Sequence, residues 1–386
     1  MKSYPIYLDY HSTTPVDPRV AKKMLHYLTT AFGNPSSIDH VYGDEAEAAV
    51  TEATNYLANL INAKPKEIIF TSGATESINL VLQGLVANNK GKTPKIVTTK
   101  LEHKAVLDTC QVLAKKGLLE LVFLPVDRQG RINLEQLETI VKSGVSLLCF
   151  MAANNEIGNI YPLEKIGKIA QKYDTPFFSD ASQAVGKIPL NFTDWGINYL
   201  AISAHKFYGP KGCGALVVKK GYELEPIMYG GGHQGKMRSG TLNVPGIVGL
   251  GEACRLRQLE MLEDEKAIAL LRNRLQNLLQ KHITDIVING DLEARLSGNL
   301  HIAMPGIPNH AIIARIRPQL AISTGAACSS GVETPSHVLQ ALGVSTEIIE
   351  SSLRIGIGKF TTAQEIETAA QILTQAVTQS RAIMYS

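Results

Sequence analysis

The stretch Ser203-Ala204-His205-Lys206-Phe207-Tyr208-Gly209-Pro210-Lys211-Gly212 sets a lysine between two apolar runs, Tyr199-Leu200-Ala201-Ile202 and Ala215-Leu216-Val217-Val218. Both runs are short and bounded by Gly/Pro turn signals, so both read as buried strands. Few folds place a lysine there, because the side chain loses part of its hydration. Desolvation disfavours the ammonium form and leaves a free amine near neutral pH, a nucleophile for carbonyl carbons. A lysine at a strand end is more often a solvated surface residue, so the reading needs a second group. Phe177-Phe178-Ser179-Asp180 supplies it: an apolar strand delivers a carboxylate at its end, with Gln183 one helical turn further on. The distance from Asp180 to Lys206 leaves room for a strand–connection–strand unit that brings the two strand ends together.

The same alternation runs through the preceding chain. Glu67-Ile68-Ile69-Phe70 breaks at Thr71-Ser72-Gly73-Ala74-Thr75, and a helix begins towards Leu80-Val81-Leu82. Free N–H groups and the positive dipole end at such a helix start suit a phosphate; the plainer reading is a cap by Thr71 or Ser72. Ile96-Val97-Thr98-Thr99 leads to His103 where another helix starts, and Glu102 beside it is expected in solvent. Ser146 to Met151 is a further buried strand, ending at Asn154-Asn155-Glu156. Helical spacing marks residues 44–62, 132–142 and the long stretch from Ile247 to about His282. Strands alternating with helices predict an α/β fold, a mostly parallel sheet with helices on both faces. The long helix is expected to link a large domain (15–260) to a smaller α+β domain made of residues 1–14 and 261–386.

Composition narrows the partners. The 386 residues carry a formal net charge of +3, too little to imply nucleic-acid or membrane binding. The opening MKSYPIYLDY has no continuous apolar segment, so a soluble, cytoplasmic protein is expected. Five cysteines show neither CxxC nor Cys/His metal spacing, which argues against a zinc site or a disulfide framework. Cys328 stands out within Ser323-Thr324-Gly325-Ala326-Ala327-Cys328-Ser329-Ser330-Gly331, where small neighbours give a thiolate access. Arg354, in Leu353-Arg354-Ile355-Gly356, offers a guanidinium that grips a carboxylate bidentately.

A lysine to carry an aldehyde and an acid to keep a pyridine nitrogen protonated are what pyridoxal 5'-phosphate (PLP) chemistry requires. SAHKFYGPKG together with SDASQAVGK resembles the cysteine desulfurases of the class V aminotransferase family, among the fold type I PLP enzymes. The likeness runs from YLDYHSTTPVDPRV to SLRIGIGKFTT. It implies that Lys206 binds PLP, that Gly73, Ala74 and Thr75 cradle the phosphate, and that Asp180 meets the pyridine nitrogen. His103 would stack on the ring and shuttle protons, while Asn155, Gln183, Ser203 and His205 complete the cofactor site. Thr241, in Arg238-Ser239-Gly240-Thr241, would reach the phosphate of a neighbouring subunit, which implies a homodimer. Arg354 and Asn155 would hold the carboxylate of L-cysteine, and Cys328 would take its sulfur as a persulfide, releasing L-alanine. A sulfur-acceptor protein, an iron–sulfur scaffold or a tRNA-thiolation enzyme, would then collect the sulfur. Members that feed iron–sulfur scaffolds often carry a longer C-terminal extension, whereas this sequence stops at Ser386, soon after a helix around 363–379. The alternatives are a class V transaminase, a selenocysteine lyase and a PLP-fold scaffold without catalysis.

Overall fold

The computed structural model describes residues 4–89, 91–324 and 335–384. Strand β1 (Ile6–Tyr7) stands outside the main sheet. That sheet has seven strands: β2 (Ile68–Thr71), β3 (Lys95–Thr98), β4 (Glu120–Phe123), β5 (Leu147–Cys149), β6 (Phe177–Asp180), β7 (Tyr199–Ser203) and β8 (Gly214–Val218). Their order is β2-β8-β7-β6-β5-β3-β4, and only β8 runs antiparallel to its neighbours. The mostly parallel α/β fold expected from the sequence is therefore present. Parallel neighbours need crossover connections, and helices Ala74–Asn88, Lys104–Lys115, Leu134–Lys142 and Leu163–Lys172 provide them.

Period-2 alternation explains why these strands read as unbroken apolar runs. Ile96, Leu147, Phe178 and Tyr199 belong to one core cluster, whereas Val97, Leu148, Phe177 and Leu200 belong to another. Successive side chains point to opposite faces, and both faces are covered.

The long helix starts at Val244, three residues before the expected Ile247, and ends at His282. Asn243 caps it by accepting the Gly246 N–H at 3.1 Å. Its first half buries Ile247, Leu250 and Cys254 in the sheet-side core, and its second half turns Ile268, Leu275 and Leu279 towards a separate cluster. That cluster gathers around β9 (Val287–Ile288), β10 (Asn299–Ala303), β11 (Leu320–Ala321) and β12 (Ser352–Gly356). Strands β12, β10 and β9 pair antiparallel, while β1 pairs in parallel with β11 and brings Leu8 into the same core. We propose the division into 15–260 and 1–14 with 261–386 on this separation; Val338, Leu339 and Leu342 nevertheless pack on the sheet-side cluster. No helix among the described residues is long and apolar enough to cross a membrane.

Candidate active site

Parallel strands deliver their C-terminal ends to one edge, where ligands bind in open α/β sheets. Here that edge carries Gly73 after β2, His103 after β3, Asn155 after β5, Asp180 at the end of β6 and Lys206 after β7. With His11, Ser12 and Arg354 they line one cavity of about 820 Å³. Ala74, Thr75, Gln183, Ser203 and His205 line it too.

Lys206 sits on the short turn Ala204–Lys206 that leaves β7. Its Nζ donates to the carbonyl oxygens of His11 at 3.1 Å and Ser12 at 2.6 Å, and no carboxylate among the described residues is a partner. Burial first, and then the nearby Arg354 cation, lower its pKa to about 8, while Asp180 and Asp9 oppose the shift. Such an amine is partly neutral near physiological pH. The adjacent His205 packs its Nδ1 3.0 Å from Thr13 Oγ1, and burial lowers it to about 4, so it stays uncharged.

Asp180 is 7% exposed, and its Oδ1 accepts the Ser182 N–H at 2.9 Å and the Ser182 hydroxyl at 2.6 Å. Both bonds fall on Oδ1, so Oδ2 remains available. His103 caps the helix after it, its Nδ1 accepting the Ala105 N–H at 3.1 Å. A neutral ring used in this way carries its proton on Nε2; burial lowers its pKa, which favours that neutral form. Glu102 corrects a sequence expectation. It is only 1% exposed rather than solvated, because it turns back under β5, where Oε1 accepts the Met151 N–H at 2.9 Å. Burial holds its carboxyl well above the usual range.

At the turn after β2, Gly73 rather than Thr71 or Ser72 occupies the cap position of helix Ala74–Asn88. Its φ of +150° is a conformation that side-chain-bearing residues rarely adopt. Thr71 Oγ1 accepts the Gly73 N–H at 3.3 Å and lies 2.9 Å from Ser77 Oγ, which fixes the turn. Glu76 accepts the Ser72 N–H at 2.8 Å and the Arg238 Nε–H at 2.8 Å, so the Arg238–Thr241 turn is tied to this helix start. Thr241 itself is exposed and is not among the residues lining the cavity.

Arg354 is buried on β12. Its Nη2 donates to Asp9 Oδ1 at 2.9 Å and its Nη1 to the Asn155 carbonyl at 3.2 Å, while the buried Nε has no partner among the described residues. The backbone of Ser323 pairs with that of Arg354 in both directions, at 3.1 and 2.7 Å. On the far side of residues 325–334, Pro335, Ser336 and His337 line the cavity, and the Ser336 hydroxyl donates to Glu156 Oε2 at 2.5 Å. Thr324 and Pro335, the described residues on either side of 325–334, both line the cavity. Cys328 lies outside the described residues.

Sequence reasoning did not single out His11 or Glu156 as functional. His11 is buried with its Nδ1 3.3 Å from Gln183 Oε1, a contact across 172 residues of chain that no local pattern reveals. Glu156 was within reach, since it follows Asn155 at the same strand end.

A Lys/Asp pair at adjacent strand ends beneath a glycine-capped helix defines a class, and the comparisons agree with it. The chain belongs to the class-V aminotransferase family, whose model matches residues 6–368. It is 44% identical over 381 residues to a cysteine desulfurase IscS of Rickettsia rickettsii (strain Iowa), covering 98% of this chain and 92% of the relative. A solved NifS-like protein superposes with a TM-score of 0.90 at 35% identity, covering 97% of this chain and 99% of the other. The structure of SspA in complex with cysteine superposes with a TM-score of 0.82 at 32% identity, covering 92% and 100%.

Proposed function

We propose that this chain is a PLP-dependent cysteine desulfurase, which converts L-cysteine to L-alanine and receives the sulfur on Cys328 as a persulfide. The observation that carries this reading is the Lys206 amine: half-buried, without a carboxylate partner among the described residues, and in one cavity with Asp180. The residues present fit the cofactor. Lys206 suits its aldehyde, the available Oδ2 of Asp180 its pyridine nitrogen, the neutral His103 ring a face of the heterocycle, and the glycine-capped helix start its phosphate. When bound, PLP supplies the electron sink for the substrate Cα. Each protein group then has a task set by its own geometry. Arg354, steadied by Asp9 and the Asn155 carbonyl, would offer its remaining Nη hydrogens to the substrate carboxylate. Lys206 Nζ takes the Cα proton, which a free amine does and an ammonium does not. His103 offers its Nε2–H as a donor.

The Cys328 thiolate takes the sulfur atom as the substrate leaves as alanine, so thiol plus cysteine become persulfide plus alanine. Ser323 and Thr324 before its segment and Pro335 to His337 after it line the cavity, which supports this reading. A sulfur-acceptor protein would take the persulfide onward, for iron–sulfur cluster assembly as the name of its IscS relative suggests, or for tRNA thiolation. A homodimer in the cytoplasm is the setting we propose. Leu25, Leu28, Phe32, Ile38, Val41 and Tyr42 are exposed along one stretch, an apolar surface that a second copy would cover, and Thr241 is free to serve the other subunit's site.

The test is product analysis. PLP-loaded protein given L-cysteine should release L-alanine, with sulfide in equal amount once a thiol reductant is added. Formation of a keto acid instead of alanine would replace this reading with the transaminase or lyase.

A further inference from the structure

Behind the reactive amine lies a set of polar groups that the proposed reaction does not use. Lys187 Nζ donates to Gln183 Oε1 at 2.8 Å, and Gln183 Nε2 donates to the His11 carbonyl at 2.8 Å. That same carbonyl accepts from Lys206 Nζ at 3.1 Å, and the His11 ring returns to Gln183 Oε1 through Nδ1 at 3.3 Å. Gln183 is 4% exposed and His11 3%, and the second ring nitrogen, His11 Nε2, is buried without a partner among the described residues.

Hydrogen-bond direction in this set is not free. A backbone carbonyl only accepts, so Gln183 must present its NH₂ to His11, and its oxygen then faces the N–H donors of Lys187. Turned over, it would set its oxygen against the His11 carbonyl, a repulsive contact, and give up the bond from Lys187 to Oε1. With Oε1 fixed as an acceptor, His11 Nδ1 must be the donor. The ring then keeps a bare lone pair at Nε2, which tolerates lack of a partner better than an N–H would. Burial, together with the Lys187 and Arg354 cations, holds the His11 ring neutral, so the tautomer is its only variable.

We infer that Lys187 is a positioning residue: through Gln183 it locks His11 as the Nδ1–H tautomer and turns the amide hydrogens of Gln183 towards the cofactor cavity. One of those hydrogens is used on the His11 carbonyl; the other would remain as a donor for a group bound in the cavity that Gln183 lines. Burial lowers the Lys187 pKa to about 7, and as ammonium or as amine its Nζ keeps N–H bonds to donate to Gln183. The Glu265 carboxylate opposes the shift, while Lys206, Arg257 and Arg354 are the other cations that act on it. Arg257 in turn donates to the Gly186 carbonyl at 2.7 Å and to Glu265 at 3.3 Å, next to Lys187 in the chain.

The inference rests on reading the cavity as a cofactor site, but its first readout does not depend on any reaction. In full-length protein labelled with ¹⁵N-histidine, with and without PLP, the His11 ring (assigned by loss of its signals in His11→Gln) should show the Nδ1–H tautomer. Lys187→Met should bring a second tautomer into the His11 signals and weaken PLP binding to the apoprotein about tenfold, the size of one lost oriented hydrogen bond. Lys187→Arg, which also donates, should restore both. On a Gln183→Ala background, Lys187→Met should add no further loss of PLP affinity. An Nε2–H tautomer in the unmodified protein would overturn the relay, and so would additive losses in the double variant. Should Lys187→Met fail to fold, the unmodified tautomer and Lys187→Arg still decide. Failure of the desulfurase reading would look different: an intact tautomer and intact PLP binding with no alanine from cysteine.

Discussion

The guanidinium of Arg354 donates to Asp9 Oδ1 at 2.9 Å, joining β12 to the segment just after β1 across 345 residues of chain. The pair is partly buried and reaches the cavity wall, so the cation is oriented before any substrate arrives. An orienting carboxylate and the Asn155 carbonyl take one hydrogen from each Nη, and the second hydrogen of each remains for an incoming carboxylate.

Arg354→Lys should therefore act mainly on substrate affinity. A lysine keeps the charge but cannot hold Asp9, the Asn155 carbonyl and a carboxylate in one plane. We expect KM for cysteine to rise about tenfold or more, the scale of one charge-assisted hydrogen bond, with a smaller change in kcat. Steady-state kinetics check this; an unchanged KM would remove Arg354 from substrate binding.

Lys206 gives a pH dependence with a definite sign. Its pKa is lowered to about 8, so the reactive free amine gains population as pH rises through that value. The rate at which apoprotein captures PLP as a borohydride-reducible adduct should climb about tenfold per unit up to pH 8 and then level off. Lys206→Ala should give no adduct on this peptide at any pH. A flat profile between pH 6 and 9 would mean that the captured group is not this amine.

Asp180→Asn tests the acid beside the cofactor. Removing one partner of a buried charge pair costs about 3 kcal/mol or more, which is more than a hundredfold in rate. Alanine formation should fall by at least that factor while the melting temperature moves little, because the amide still accepts from Ser182. Wild-type turnover in Asp180→Asn would assign the acid elsewhere.

Much of this arrangement is legible in the sequence because short apolar strands end in chemically distinctive residues. Phe177 to Asp180 is a strand as read, the strand read over Tyr199 to Ile202 runs on to Ser203, and active-site side chains follow from their ends. What the sequence hides is burial and long-range pairing. Glu102 reads as solvated, since an acid between a strand and a helix usually is, yet it folds under Met151. His11 carries no signal of its own: its importance comes from Gln183, Lys187 and Lys206, all far along the chain. The antiparallel insertion of β8 between β2 and β7 is likewise a topological choice that no local pattern encodes.

The central claim is tested most directly by Cys328→Ser. The PLP-binding residues would be untouched, so the variant should keep the cofactor and still change its absorbance when L-cysteine binds. Sulfur would then have no thiolate to receive it, and L-alanine formation in a single turnover should fall to a trace, with no persulfide on the protein. Alanine appearing at the wild-type rate in Cys328→Ser would contradict the account, because the sulfur would be leaving by a route that does not need this cysteine.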